Sequence, residues 1–148
     1  MTMTILSIAG KPGLYKLVSR GKINLIVESI DETHKRIPAF ATDRVTSLAD
    51  IAIYTEGEDI PLVNVLASIR NKEEGKEASI NAKKSSSAEL RKYFAEILPE
   101  FDKDRVRDND IRKLISWYNI LIKNGITNFE EELTPNNEEE TREQEEKQ

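Results

Sequence analysis

The chain has 148 residues, a net charge of −5 and no cysteine. The missing cysteines exclude disulfides and thiolate metal sites, and no segment offers the ~20 apolar residues of a membrane helix. The length suits one domain or two small ones, with enough chain to bury a core.

The charge is unevenly spread. Glu130–Gln148 carries nine acidic and two basic residues, a net of −7, so the preceding 129 residues carry +2. Residues 80–129 hold ten basic and seven acidic side chains. The pattern is an acidic tail on a mildly basic helical unit. The opening MTMTILSIAG has no basic start and too short an apolar run for a signal peptide. A soluble, cytoplasmic protein is expected.

Thr4–Ile8 is a short apolar run, followed by a turn at Lys11-Pro12-Gly13-Leu14. Proline at the second position and glycine at the third suit a type II turn. Leu14–Ser19 reads as a strand and Arg20-Gly21 as a turn. Ile23, Leu25 and Val27 alternate with Asn24 and Glu28, the period of a half-buried strand. Asp31–His34 is a third turn and Lys35–Ala41 a fourth strand, placed at an edge by Pro38. Ser47-Leu48-Ala49-Asp50 has the pattern of a capping box on one helical turn, and Ile51–Tyr54 is a fifth strand. Five short strands with a helical turn before the last is the order of SH3-like barrels, which closes off exposed edges. An open meander packed on a helix is the alternative.

Helical patterns take over from Asp59, read as a cap with Pro61 in the first turn. Leu62, Val65, Leu66 and Ile69 fall on one face, and Gly75 ends the helix. Lys76–Ser86 is polar and reads as a linker. Ser86 and Glu89 form a capping box for a helix with face Leu90, Tyr93, Phe94, Ile97 and Leu98, stopped by Pro99. Asp108 is read as the cap of the last helix, whose face is Ile111, Leu114, Ile115, Tyr118 and Ile122, with Gly125 as its stop. The predicted fold class is α+β. It comprises a small β-barrel over 1–57, a connecting helix over 58–75, a linker over 76–86, a helical hairpin domain over 87–127, and a disordered acidic tail over 128–148.

Ser7-Ile-Ala-Gly-Lys-Pro-Gly-Leu-Tyr-Lys-Leu-Val-Ser19 and Leu114-Ile-Ser-Trp-Tyr-Asn-Ile-Leu121 resemble segments of a family of uncharacterised Bacteroidetes proteins. In that family an N-terminal domain of unknown function precedes a helical C-terminal one. The resemblance spans residues 3 to about 125 and leaves out the acidic tail. It implies a two-part organisation and a bacterial cytoplasmic setting, and it carries no catalytic residue.

The residues themselves select no reaction. Gly10-Lys-Pro-Gly13 spells the GxxG of KH domains, but its flanks are β-like and Pro12 lacks a backbone donor, so a plain turn is expected. It also lacks the Gly-Lys-Ser/Thr of a phosphate loop. His34, the single histidine, sits in a predicted turn without a nucleophile or acid in triad order. Asp and Glu abound, yet no spacing selects a catalytic pair. Asp102, Asp104, Asp108 and Asp110 lie between two helices, but Val106, Arg107 and Lys113 occupy calcium-loop positions 5, 6 and 12. Helix capping is the expected use of those carboxylates. No cofactor, metal or catalytic site is predicted.

Two surfaces are singled out. In the last helix Trp117 stands at the margin of the apolar stripe and Ile120 nearly opposite it. Trp117, Tyr118 and Ile120 are the candidate interaction residues, because surplus apolar surface and aromatic anchors mark interfaces; the plainer reading is that Trp117 packs under a neighbouring element. On the first hairpin Lys11, Lys16, Arg20 and Lys22 surround Tyr15, a set suited to phosphates and a stacked base; with Glu28, Asp31 and Glu32 close by in sequence, solvated turn and strand-edge residues are the plainer reading. The expected function is a non-enzymatic protein-interaction module, adaptor or regulatory. Its expected partner is another protein or a second copy of the chain in a homodimer. The alternative is a nucleic-acid-associated factor that binds through the first hairpin and residues 83–123, screened by the acidic tail.

Overall fold

A computed structural model describes residues 4–11, 13–31, 33–40, 43–129 and 133. Five antiparallel strands come first: β1 (Ile5–Ile8), β2 (Tyr15–Arg20), β3 (Asn24–Ser29), β4 (Arg36–Phe40) and β5 (Val45–Ser47). Their order across the sheet is β4-β3-β2-β1-β5. A 3-10 turn, Leu48–Asp50, leads into a two-stranded ribbon, β6 (Ala52–Ile53) with β7 (Ile60–Pro61). Three helices follow: α1 (Leu62–Lys72), α2 (Ser87–Ile97) and α3 (Asp108–Lys123). Among the described residues, no helix is long and apolar enough to cross a membrane.

Alternation explains the sheet. Successive strand side chains point to opposite faces, so Leu6 and Ile8, Tyr15 and Leu17, Leu25 and Val27, and Ile37 and Ala39 share one face. Cross-strand partners Leu6↔Tyr15, Leu17↔Val27, Leu25↔Ala39 and Val27↔Ile37 set the register. These side chains form a small apolar cluster made of sheet residues alone. A bulge between Leu17 and Ser19 shifts the β2–β3 register. Pro38 lies on the edge strand β4, where its missing N–H breaks no ladder bond. The Asp31–His34 turn is held by Asp31 Oδ1, which accepts from Thr33 N–H at 2.8 Å and from His34 N–H at 3.2 Å.

The sheet is open and does not close into an SH3-like barrel. Closure would need the strand after the helical turn to return to the sheet. Instead Ala52 and Ile53 pair with Pro61 and Ile60, and Leu62 N–H donates to Ile51 O at 2.9 Å. The chain after Asp50 is thereby committed to the helices. The fifth place in the sheet goes to Val45–Ser47, which pairs with β1 through Leu6↔Ser47 and Ile8↔Val45. Ser47 makes no side-chain cap bond, so the helical turn forms without its expected capping box.

The larger core lies among the helices. Leu62, Leu66, Ile69, Leu90, Phe94, Phe101, Ile111, Ile115 and Leu121 are all essentially inaccessible. Each large apolar side chain so buried stabilises the fold by about 1.5–3 kcal/mol. Ile5, Leu14 and Leu48 belong to this cluster and attach the sheet to the helices. Phe94 and Phe101 meet edge to face with ring centroids 4.9 Å apart. The loop after α2 is stitched to the ribbon by Glu56 N–H to Glu100 O at 2.9 Å and Asp102 N–H to Tyr54 O at 3.0 Å.

Helix ends follow the expected chemistry at α2, where Ser86 Oγ accepts from Glu89 N–H at 3.2 Å. The other two starts differ by a residue or more. Pro61, not Asp59, precedes α1, because Ile60-Pro61 is held in the ribbon. Arg107 precedes α3, and the Asp110 carboxylate accepts its N–H at 3.0 Å. Asp108 instead bonds Arg91 at 2.9 Å and ties α3 to α2.

Residues 76–86 connect α1 to α2, but they are not a free linker. The Tyr118 hydroxyl donates to Lys76 O, Ala78 N–H donates to Asn119 Oδ1 at 2.8 Å, and Arg112 Nη1 donates to Ala82 O and Lys83 O at 2.9 and 3.0 Å. These bonds strap the segment along α3. Its start is also held by Glu73, whose carboxylate accepts from the Tyr93 hydroxyl and from Ser79 N–H. Burial opposes ionisation of Glu73, but those hydrogen bonds outweigh it and its pKa is lowered from the ordinary 4.5. A lowered folded-state pKa contributes stability that is present above the ordinary value and lost as pH falls through the folded one. Glu73→Gln is therefore expected to flatten the loss of urea resistance as pH falls below the ordinary value of 4.5. Parallel acid slopes for the two proteins would show that Glu73 contributes nothing there.

Candidate functional site: a basic-rimmed groove over Trp117

α3 buries one face, and its flank builds a recess. Ile111, Leu114, Ile115, Tyr118 and Leu121 enter the core. Trp117 and Ile120 are half-buried, packed against the core from one side and open on the other. Two neighbouring hollows meet at Trp117. The larger, about 480 Å³, lies between α3, the strapped Ala82-Lys83 turn and the β1–β2 loop, with Ile8, Gly10 and Ile120 among its walls. The smaller, about 170 Å³, lies between α3 and the ribbon, with Ile51, Tyr54 and Leu62 among its walls. Trp117 and Lys113 line both.

Charge around the larger hollow has one sign. Lys11, Lys83, Arg112 and Lys113 line it, and no carboxylate does. The guanidinium of Arg112 is spent on the carbonyls of Ala82 and Lys83, which holds Lys83 at the rim. Lys11, Lys83 and Lys113 are exposed. The β1–β2 wall owes its shape to glycine: Lys11 N–H closes a turn on Ile8 O at 3.1 Å with Gly10 at φ 83, a conformation that favours glycine. Gly13, at φ 82, ends the same loop, while Pro12 of the expected type II turn lies outside the described residues. At the other end, Arg105 stacks over the Tyr54 ring at 4.3 Å beside the smaller hollow.

The candidate residues are thus redistributed. Trp117 and Ile120 stand together in the groove. Tyr118 does not: it is fully buried, its hydroxyl bonds Lys76 O, and burial pushes its pKa up to about 12. It is a core residue of this chain. The basic hairpin set also separates. Tyr15 packs into the sheet's apolar cluster, whereas Lys16 points to the opposite face, across from Glu28. Arg20 and Lys22 lie at the far end of the hairpin. Lys11 alone of the five lines the groove. The sequence reading did not single out Lys83 and Lys113, because only the strap brings the 82–84 turn against α3.

The remaining candidates keep structural roles. His34 is exposed in its turn, with Nδ1 3.7 Å from Glu28 Oε2. Asp102 Oδ1 accepts from Asp104 and Arg105 N–H groups, and Oδ2 pairs with Arg105 Nε at 2.8 Å. These Arg105 and Asp104 bonds hold the Asp102 carboxyl below its usual range. Among the described residues no group of three or more Asp, Glu or His is placed to hold a metal.

Comparison with known proteins places the chain. Residues 3–48 match a domain of unknown function, DUF5606, and residues 51–121 match a second, DUF6852. A Bacteroides vulgatus protein solved in solution by NMR is 63% identical over 87% of this chain and 91% of its own, with a TM-score of 0.73. The chain belongs to this DUF5606–DUF6852 family. The two matched regions meet at the 3-10 turn Leu48–Asp50, where the sheet gives way to the ribbon and helices. The groove of this family member therefore draws one wall from its DUF5606 part and its floor from its DUF6852 part. No curated protein matches the chain.

Proposed function

We propose that the protein is a non-enzymatic interaction module that docks a protein partner in the groove over Trp117. The observation that carries this reading is the half-open Trp117–Ile120 pair in an apolar hollow rimmed by cations alone. Tryptophan in a concave, partly desolvated position is the side chain that most often dominates binding energy. The lysine rim would steer an acidic segment into place and fix its register more than it adds affinity. The site lies between two parts of the fold, where binding hollows commonly form.

The experiment is affinity capture with the full-length protein from its own cells, divided into nuclease-treated and untreated halves. Protein partners that survive both nuclease and moderate salt support the reading. Capture of nucleic acid in the untreated half, with all proteins lost after nuclease, overturns it in favour of a nucleic-acid factor, whose binding falls steeply with salt. Association of the protein only with itself would make a second copy the occupant.

A further inference from the structure

The groove has a candidate occupant within the same chain. Beyond Leu133 lie fifteen residues containing six glutamates, Glu138, Glu139, Glu140, Glu143, Glu145 and Glu146, against one arginine and one lysine. The larger hollow has the opposite charge: Lys11, Lys83, Arg112 and Lys113 line it and no carboxylate does, while Asp110 is the carboxylate that lines the smaller hollow. Among the described residues no ion pair engages Lys11, Lys83 or Lys113.

The tail has a fixed root. Leu133 is buried in the helical core, and Phe129 is buried beside Tyr118. From Leu133, fifteen residues span at most about 50 Å when extended, enough to cross a domain of this size. A short tether of this kind presents its charges at an effective concentration of about millimolar. Even weak pairing with the rim is then favoured over free solution.

We infer that the glutamate-rich segment 138–146 docks in the chain's own groove, covers Trp117 and competes with the external partner. The inference rests on the groove being a docking surface, yet it can be tested without any partner. The segment would act as an intramolecular decoy: a partner must displace it, and salt or a more acidic ligand lowers that barrier.

Trp117 is the only tryptophan in the chain, so its fluorescence reports on the groove alone. The test measures acrylamide quenching of Trp117 in the full-length protein, in a full-length protein with the six glutamates changed to glutamine, and in a full-length K11E/K83E/K113E protein. In the natural chain the quenching constant is expected to rise about twofold between 0.01 M and 1 M salt, as the Debye length shrinks from about 30 Å to about 3 Å. Both variants are expected to show the high-salt value throughout. Equal, salt-independent quenching in all three proteins overturns the inference. Salt-dependent protection that grows with protein concentration also overturns it, because the tail would then be covering another molecule. Neither outcome bears on whether a partner is captured, so the two readings fail separately.

Discussion

Phe129→Ala is expected to lower the unfolding free energy by about 3–5 kcal/mol, the range for emptying a fully buried aromatic site. Phe129 is completely inaccessible, meets the Tyr118 ring edge to face at 6.0 Å, and lies under the Arg70 guanidinium at 5.8 Å. Arg70 Nη1 also donates to Thr127 O at 2.9 Å, which fixes the approach of this segment to α1. The effect is large because Tyr118 cannot relax into the space: its hydroxyl is committed to Lys76 O. Urea unfolding followed by circular dichroism reads the change. A residue belonging to a solvated tail would shift stability by no more than about 0.5 kcal/mol. A result of that size would remove Phe129 from the core.

Trp117→Ala is expected to weaken the captured partner by about 2 kcal/mol or more, roughly thirtyfold in Kd, as loss of a central aromatic anchor does. Ile120→Ala should cost less, because it removes a smaller side chain beside the same contact. Titration of each purified variant with the partner, monitored by calorimetry, gives the numbers. Trp117 also packs on the core, so each variant needs a matching unfolding curve. A folded Trp117→Ala protein with unchanged affinity would take the anchor out of the interface. Replacing Lys113 should act differently, slowing association and reducing its salt dependence with a smaller change in affinity.

Helices with a strong period were readable before the structure. Leu62, Val65, Leu66 and Ile69, and likewise Leu90, Tyr93 and Phe94, are buried as their spacing requires. Turn chemistry at Asp31–His34 and the cap at Ser86 were readable because the bonds are local. What escaped was non-local. Val45–Ser47 is three residues long and becomes a strand only because β1 offers it an edge. Ile51–Tyr54 looked like a barrel strand because nothing in its own sequence names Ile60-Pro61 as its partner. The same cause separated the candidate residues. Tyr118 and Trp117 are neighbours in sequence, but one turns into the core and the other toward the groove. Polar residues 76–86 resemble a linker until the bonds from Arg112, Tyr118 and Asn119 strap them to α3. Phe129 and Leu133 sit among acidic residues, so composition hid two core side chains.

The most direct test sets two apolar surfaces against each other. Ile23, 80% exposed at the tip of the β2–β3 hairpin, is the most exposed large apolar side chain among the described residues and lines neither hollow at Trp117. Full-length natural protein, Trp117→Ala and Ile23→Ala would be used side by side to capture partners from the same cell extract after nuclease treatment. The account predicts that Trp117→Ala loses the partners that the natural protein retains, while Ile23→Ala keeps them. Partners kept by folded Trp117→Ala and lost by Ile23→Ala would contradict it and move the docking surface to the hairpin tip.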